Sequence, residues 1–337
     1  MSNIKSFNFV ISIFSKFKNS ISNIGIYMLA SIIPMTINLL INPLVALNME
    51  PVDYAIVGYY NSFNGLLAPL ITFYVFSYYT KRYFEVQEAD RIILKSTILK
   101  SLIYFSALLA VISFISLYLY MTLFNKGSEM PFLPYAFLSV FSLPLTGVIT
   151  LRLIDFKMEK KSQSYFKLSV SQGVFLAALT LLLVVAFKFG AVGKMSATFI
   201  AALSVFLYTF YKEYDAFKKD FDWKIFKTML LFVWPMIIGA MLHFFTNGYD
   251  RVYLERLGDK NELGYYVVAG QVVGYIGVFS SAVSSTFQPD VYKAVVTRKW
   301  KNASKYIGLI LASTAFFVLI FVLLAPFVID LLTAGRY

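Results

Sequence analysis

His243, Asn247, Asp250 and Arg251 fall at i, i+4, i+7 and i+8 in the otherwise apolar stretch KTMLLFVWPMIIGAMLHFFTNGYDRVYLERL, which begins at Lys227. On one helix these four side chains share a face, with Met241, Leu242, Phe244, Phe245, Gly248 and Val252 opposite. About 20 apolar residues cross the hydrocarbon core of a bilayer, and ionisable groups at that depth are costly and normally face a wet interior. The chemistry on offer is narrow. A guanidinium at position 251 matches phosphate oxygens as a bidentate fork, and Asp250 is placed to hold or release it. The competing reading pairs Arg251 with Glu255, four residues on, at the membrane surface. His243 either relays protons or stays neutral and bonds to a neighbouring span.

Amides and hydroxyls recur on other apolar stretches: Asn38 and Asn42, Asn61 and Asn64, Gln172, then Gln271, Ser281, Ser285 and Gln288. Positions 271, 274, 278, 281, 285 and 288 trace one helix face. Taken singly, each reads as interhelical glue worth about 0.6 kcal/mol. Five stretches with such faces point instead to the lining of a hydrated cavity for a polar solute. Arg152 and Asp155 read as a plain interface pair. Gly264, Gly270, Gly274 and Gly277 read as close-packing positions. Pro34, Pro69, Pro144, Pro235 and Pro326 read as bends.

The elements that must carry these residues follow from composition. Hydrophobic residues make up 59% of 337 and charged residues 14%, with a mean hydropathy of +0.70. That is a polytopic all-α membrane protein. Nine spans are expected, over 22–47, 53–80, 98–124, 132–154, 166–188, 193–212, 228–256, 262–289 and 305–332. The absence of Cys removes thiolate metal sites and thiol nucleophiles, and a single His leaves little for zinc. No cofactor or metal is called for. The short loops on one side leave no room for a catalytic domain, which argues against an enzyme.

Lys and Arg sort the ends. Of the 30, 23 lie in the N-terminal segment and around 81–100, 152–167, 212–227 and 293–305. The positive-inside rule then puts the N-terminus in the cytoplasm. It also explains the net charge of +12 without nucleic acid. Residues 1–20 read as an amphipathic segment on the membrane surface or as a simple run-in to the first span.

A faint parallel repeat links the halves. Asn42 and His243 each stand eight residues beyond a proline, Pro34 and Pro235, and the acids Asp53 and Glu262 open corresponding spans. The expected division is a first six-helix lobe over 21–220 and a partial second lobe over 221–337, as in a fragment of a 12–14-span protein.

Trp234-Pro235-Met236 followed by Asp250-Arg251, then Glu262-Leu263-Gly264-Tyr265-Tyr266, Thr333-Ala334-Gly335-Arg336-Tyr337 and Asp53-Tyr54, carry a family resemblance. The chain resembles the Wzx-type polysaccharide flippases of the multidrug/oligosaccharidyl-lipid/polysaccharide exporter superfamily. The resemblance implies two helical lobes around a cationic cavity. It also implies alternating-access transfer of undecaprenyl-pyrophosphate-linked oligosaccharide (an O-antigen, capsule or exopolysaccharide unit) across a bacterial inner membrane. Membrane lipids, a coupling H+ or Na+ and a polysaccharide polymerase are the partners it implies. A multidrug/toxin extrusion antiporter is the nearest alternative, although Asn38 and Asn42 stand where an acid would be expected. A membrane polymerase or glycosyltransferase is a more distant one.

Overall fold

The computed structural model describes residues 26–27, 29–125, 130–296 and 298–335. The segment 1–20 and the side chains of His243, Asn247, Ser281, Ser285 and Gln288 lie outside the described residues. Every element is helical, with no strand among the described residues. Helix α1 covers Leu29–Leu47, α2 Pro51–Ile71 and α3 Val75–Arg82. Helix α4 (Arg91–Lys100) runs through a π turn at Ser101–Phe105 into α5 (Ser106–Leu123). Then come α6 (Tyr135–Met158), α7 (Ser162–Thr180, ending in a π turn at Leu181–Ala186) and α8 (Gly190–Phe217). The last four are α9 (Trp223–Asn247), α10 (Tyr249–Leu257), α11 (Lys260–Val296) and α12 (Trp300–Thr333).

Among the described residues, seven helical stretches are long and apolar enough to span a bilayer. The nine expected spans all coincide with helices, but α2 falls outside that apolar set. The reason is where it packs. Helix α2 lies against α6, α9 and α11, and its Tyr54, Tyr59 and Tyr60 are fully buried. A helix wrapped in protein needs less hydropathy than one wrapped in lipid. By contrast, α12 exposes Leu311, Phe316, Leu319, Val322, Leu323 and Phe327, an apolar outer surface suited to acyl chains.

Where α2 and α11 cross, side chains are absent on one partner or the other. A Cβ on Gly264 would sit 2.0 Å from the Pro51 carbonyl oxygen, and one on Gly58 would sit 2.2 Å from a Val267 methyl. Gly274 and Gly277 face open space. The close approach expected from the glycines of this helix is therefore made at Gly264, with Gly58 answering from α2. Asp53 closes a capping box with Glu50 and accepts from the Ala191 N–H at 2.9 Å, which ties the start of α2 to the start of α8.

Pro34 shows how a proline inside a helix is accommodated. Its missing N–H leaves the Ala30 carbonyl without the usual partner four residues on. Ser169 of α7 donates its hydroxyl to that carbonyl at 2.8 Å. One turn further, Gly173 leaves room for the Pro34 ring, which would lie 2.5 Å from a Cβ there.

Two large apolar clusters make up most of the core, beside a small third one at Ala30, Phe156, Tyr165 and Leu168. One joins α2, α5, α6, α9, α10 and α11 around Tyr59, Phe63, Phe244 and Val267. The other lies near the Lys/Arg-rich end and packs Phe226, Met229 and Val233 of α9 against Tyr78, Tyr79 and Leu102.

Candidate functional site

The ionisable stripe does not lie on one continuous helix. The backbone breaks at Gly248, between α9 and α10, with φ −138° and ψ −29°. A Cβ at Gly248 would meet the Phe244 ring at 2.9 Å and the Ser62 carbonyl of α2 at 3.1 Å, so the break falls where α2 comes closest. His243 and Asn247 precede it; Asp250 and Arg251 follow it. The single face expected from i, i+4, i+7 and i+8 spacing is thus interrupted at Gly248.

After the break, α10 and α11 bring three of the expected residues together. The Tyr266 hydroxyl donates to Asp250 Oδ2. Arg251 lies over Gly270, its Nη2 3.5 Å from where a Cβ would stand, with half-exposed Gln271 next in sequence. Arg251 Nε is buried and has no hydrogen-bond partner among the described residues, a donor left over in a part-buried guanidinium. Glu255, the local partner expected for Arg251, accepts from Asn125 Nδ2 at 2.9 Å, while Arg256 Nη2 donates to the Tyr120 hydroxyl at 2.8 Å. These bonds run from α10 to the end of α5.

The other expected residues lie elsewhere. Asn64 Oδ1 accepts from the Ser139 hydroxyl of α6 at 2.9 Å, and its amide reaches Asn61 Oδ1 at 3.4 Å. That is the interhelical bonding allowed for amides of this kind. Asn61 and Asn38 are exposed, and Asn38 Nδ2 donates to the Pro34 carbonyl at 2.9 Å. Asn42 Nδ2 reaches the Leu332 carbonyl of α12 at 2.9 Å. The cavity nearest the break, about 340 Å³, is apolar, lined by Phe63, Leu66, Tyr120, Phe244, Phe245 and Tyr249.

Sequence reasoning missed the strongest electrostatic feature. Lys95 Nζ lies 2.5 Å from Asp155 and 2.6 Å from Glu213. Arg152 pairs with the same two acids, at 3.2 Å from Asp155. Tyr79 donates to Asp155 Oδ1 at 2.6 Å. Arg152 and Asp155 are therefore half of a two-acid, two-base network linking α3, α4, α6 and α8, not a plain interface pair. The acids are almost fully buried, at 2% and 6% exposure. The available signal was the place of Lys95 and Glu213, each a turn or two inside a helix end.

Residues 20–289 match the model of the family described as "Polysaccharide biosynthesis protein". No curated protein matches the chain. Among solved structures, the chain is similar to the inward-facing conformation of a multidrug resistance MATE family transporter of the MOP superfamily. That likeness has a TM-score of 0.59 and 18% identity, over 92% of this chain and 76% of that one. The helices, their packing and this match bear out the family resemblance read from the short motifs. The chain is a multi-span membrane protein that belongs to the polysaccharide biosynthesis protein family and has the fold of a MOP-superfamily transporter.

Proposed function

We propose that this chain moves an undecaprenyl-pyrophosphate-linked oligosaccharide from the cytoplasmic to the outer leaflet of a bacterial inner membrane by alternating access. The Lys/Arg-rich end faces the cytoplasm. Residues 21–220 form one lobe, and 221–337 contribute to a second. Flipping requires that a charged pyrophosphate and its sugars pass the hydrocarbon while the lipid tail stays in the bilayer. Part-buried Arg251, with Asp250, Tyr266 and Gln271 beside it, meets the pyrophosphate. Asn38, Asn42, Asn61 and Asn64 lie along the sugar's route, with His243 and Asn247 preceding the break.

The observation that carries this reading is the unpartnered Arg251 Nε, in a member of a polysaccharide biosynthesis family. A buried donor without a partner is costly, and a phosphate oxygen would satisfy it.

The test is transfer of lipid-linked oligosaccharide in inverted membrane vesicles, with protein abundance measured in parallel. Arg251→Ala should lower the rate about tenfold or more, as expected for loss of one charge-assisted contact. Arg251→Lys should recover only part of it, since the ammonium lacks the planar fork. Wild-type transfer by Arg251→Ala at equal abundance would remove Arg251 from the mechanism.

A further inference from the structure

A second cavity, polar and of about 430 Å³, opens between α6, α7 and α8 at the Lys/Arg-rich end. Its walls bring together four basic residues: Arg152, Lys161, Lys167 and Lys212. Their pairing differs. Arg152 is bound into the buried network with Asp155 and Glu213. Lys161 holds Glu159 at 2.7 Å, and that hydrogen bond raises its pKa. Lys167 and Lys212 have no salt-bridge partner among the described residues, and Lys212 lies over the Tyr208 and Tyr211 rings. Counting Lys95 with these four gives five positive charges against Asp155, Glu159 and Glu213, a local excess of two.

Thr209 supplies the second observation. It lines the same cavity, is 1% exposed, and its hydroxyl has no hydrogen-bond partner among the described residues. Elsewhere in these helices threonine hydroxyls fold back on the carbonyl four residues earlier, as at Thr72, Thr150, Thr180 and Thr228. The Thr209 hydroxyl makes no such bond, although the option is one turn away.

The depth of the site suits a lipid head group. Lys167 stands five residues after Ser162, Lys212 five before Phe217 and Arg152 six before Met158, so all three lie about 8–9 Å inside their helix ends. The polar layer of a bilayer is about 5–8 Å thick on each side. Phe156 and Leu168 give the cavity an apolar wall.

We infer that this cavity binds a phosphate group, supplied by the head group of an anionic membrane lipid. Lys167 and Lys212 provide the free charge, and the Thr209 hydroxyl gains an acceptor. This site lies among α6, α7 and α8 and does not depend on the role given to Arg251.

The test uses the full chain in detergent. Lipid retention is read by native mass spectrometry against phosphatidylglycerol and phosphatidylcholine, and inorganic phosphate is titrated by calorimetry. Phosphatidylglycerol should bind in preference to phosphatidylcholine. The pair Lys167→Gln and Lys212→Gln should weaken that binding about tenfold. Lys224→Gln with Lys227→Gln, at the same end but off the cavity, should leave it unchanged. Phosphate binding that is lost in the first pair would also support the site and would make soluble phosphate its source. Equal retention of the two lipids with no phosphate binding, undiminished binding in the first pair, or equal weakening by the second pair would overturn the inference.

Discussion

Replacing Lys95 by Met tests whether the buried network acts as one electrostatic unit. The ammonium contacts Asp155 at 2.5 Å and Glu213 at 2.6 Å, while it is only 14% exposed. At an effective dielectric of about 20, each contact is worth about 6 kcal/mol before desolvation. Desolvation of three buried groups cancels most of that, and breaking a buried pair costs about 3–5 kcal/mol net. The loss arises because Arg152 alone would then face two carboxylates. On a scale of about 2–4 °C per kcal/mol, the melting temperature in detergent should fall by roughly 10 °C. Adding Glu213→Gln removes the excess negative charge and leaves Arg152 with Asp155. The double variant should therefore melt above Lys95→Met alone, a coupling that a double-mutant cycle isolates. An unchanged melting temperature for Lys95→Met, or strictly additive losses in the double variant, would refute the reasoning.

Two further outcomes follow from the packing. Because the chain has no Cys, Gly58→Cys with Val267→Cys introduces a single pair. The Cβ positions lie 3.0 Å apart, so a shift of about half an ångström reaches disulfide geometry. Oxidation should join α2 to α11 and stop transfer, and reductant should restore it; full cross-linking with wild-type transfer would show that these helices need not part. Ser169→Ala strands the Ala30 carbonyl beside Pro34 and should cost about 1 kcal/mol, read as a melting shift of a few degrees; no shift would mean that another donor takes the hydroxyl's place.

Hydropathy made most of the fold legible, because lipid acts as a solvent with one demand. Each expected span lands on a helix, and the family motifs around Trp234, Asp250 and Glu262 point to the right family. What stayed hidden depends on neighbours that sequence does not reveal. Lys95 and Glu213 lie outside the expected spans at 98–124 and 193–212, because those spans end where the apolar runs end. The helices run on to Arg91 and Phe217, since each charge meets its opposite across the bundle. The break at Gly248 was equally hidden. Helical spacing places Asp250 beside Asn247, whereas the closeness of the Ser62 carbonyl of α2, which leaves little room for a side chain at Gly248, shows only in the structure. Asp250 and Arg251 were legible as unusual residues, but their partners on α11, Tyr266 and Gly270, were not.

The contacts that α7 makes around Pro34 also limit how the molecule can move. A proline in a membrane helix is commonly credited with flexing, because a carbonyl has been set free. Here that carbonyl is already spoken for by α7, and the ring is seated in the notch left by Gly173. Moving α1 against α7 would break the hydroxyl bond and lift the ring from its seat. Parting the first helix from the seventh costs both contacts, which favours their moving together.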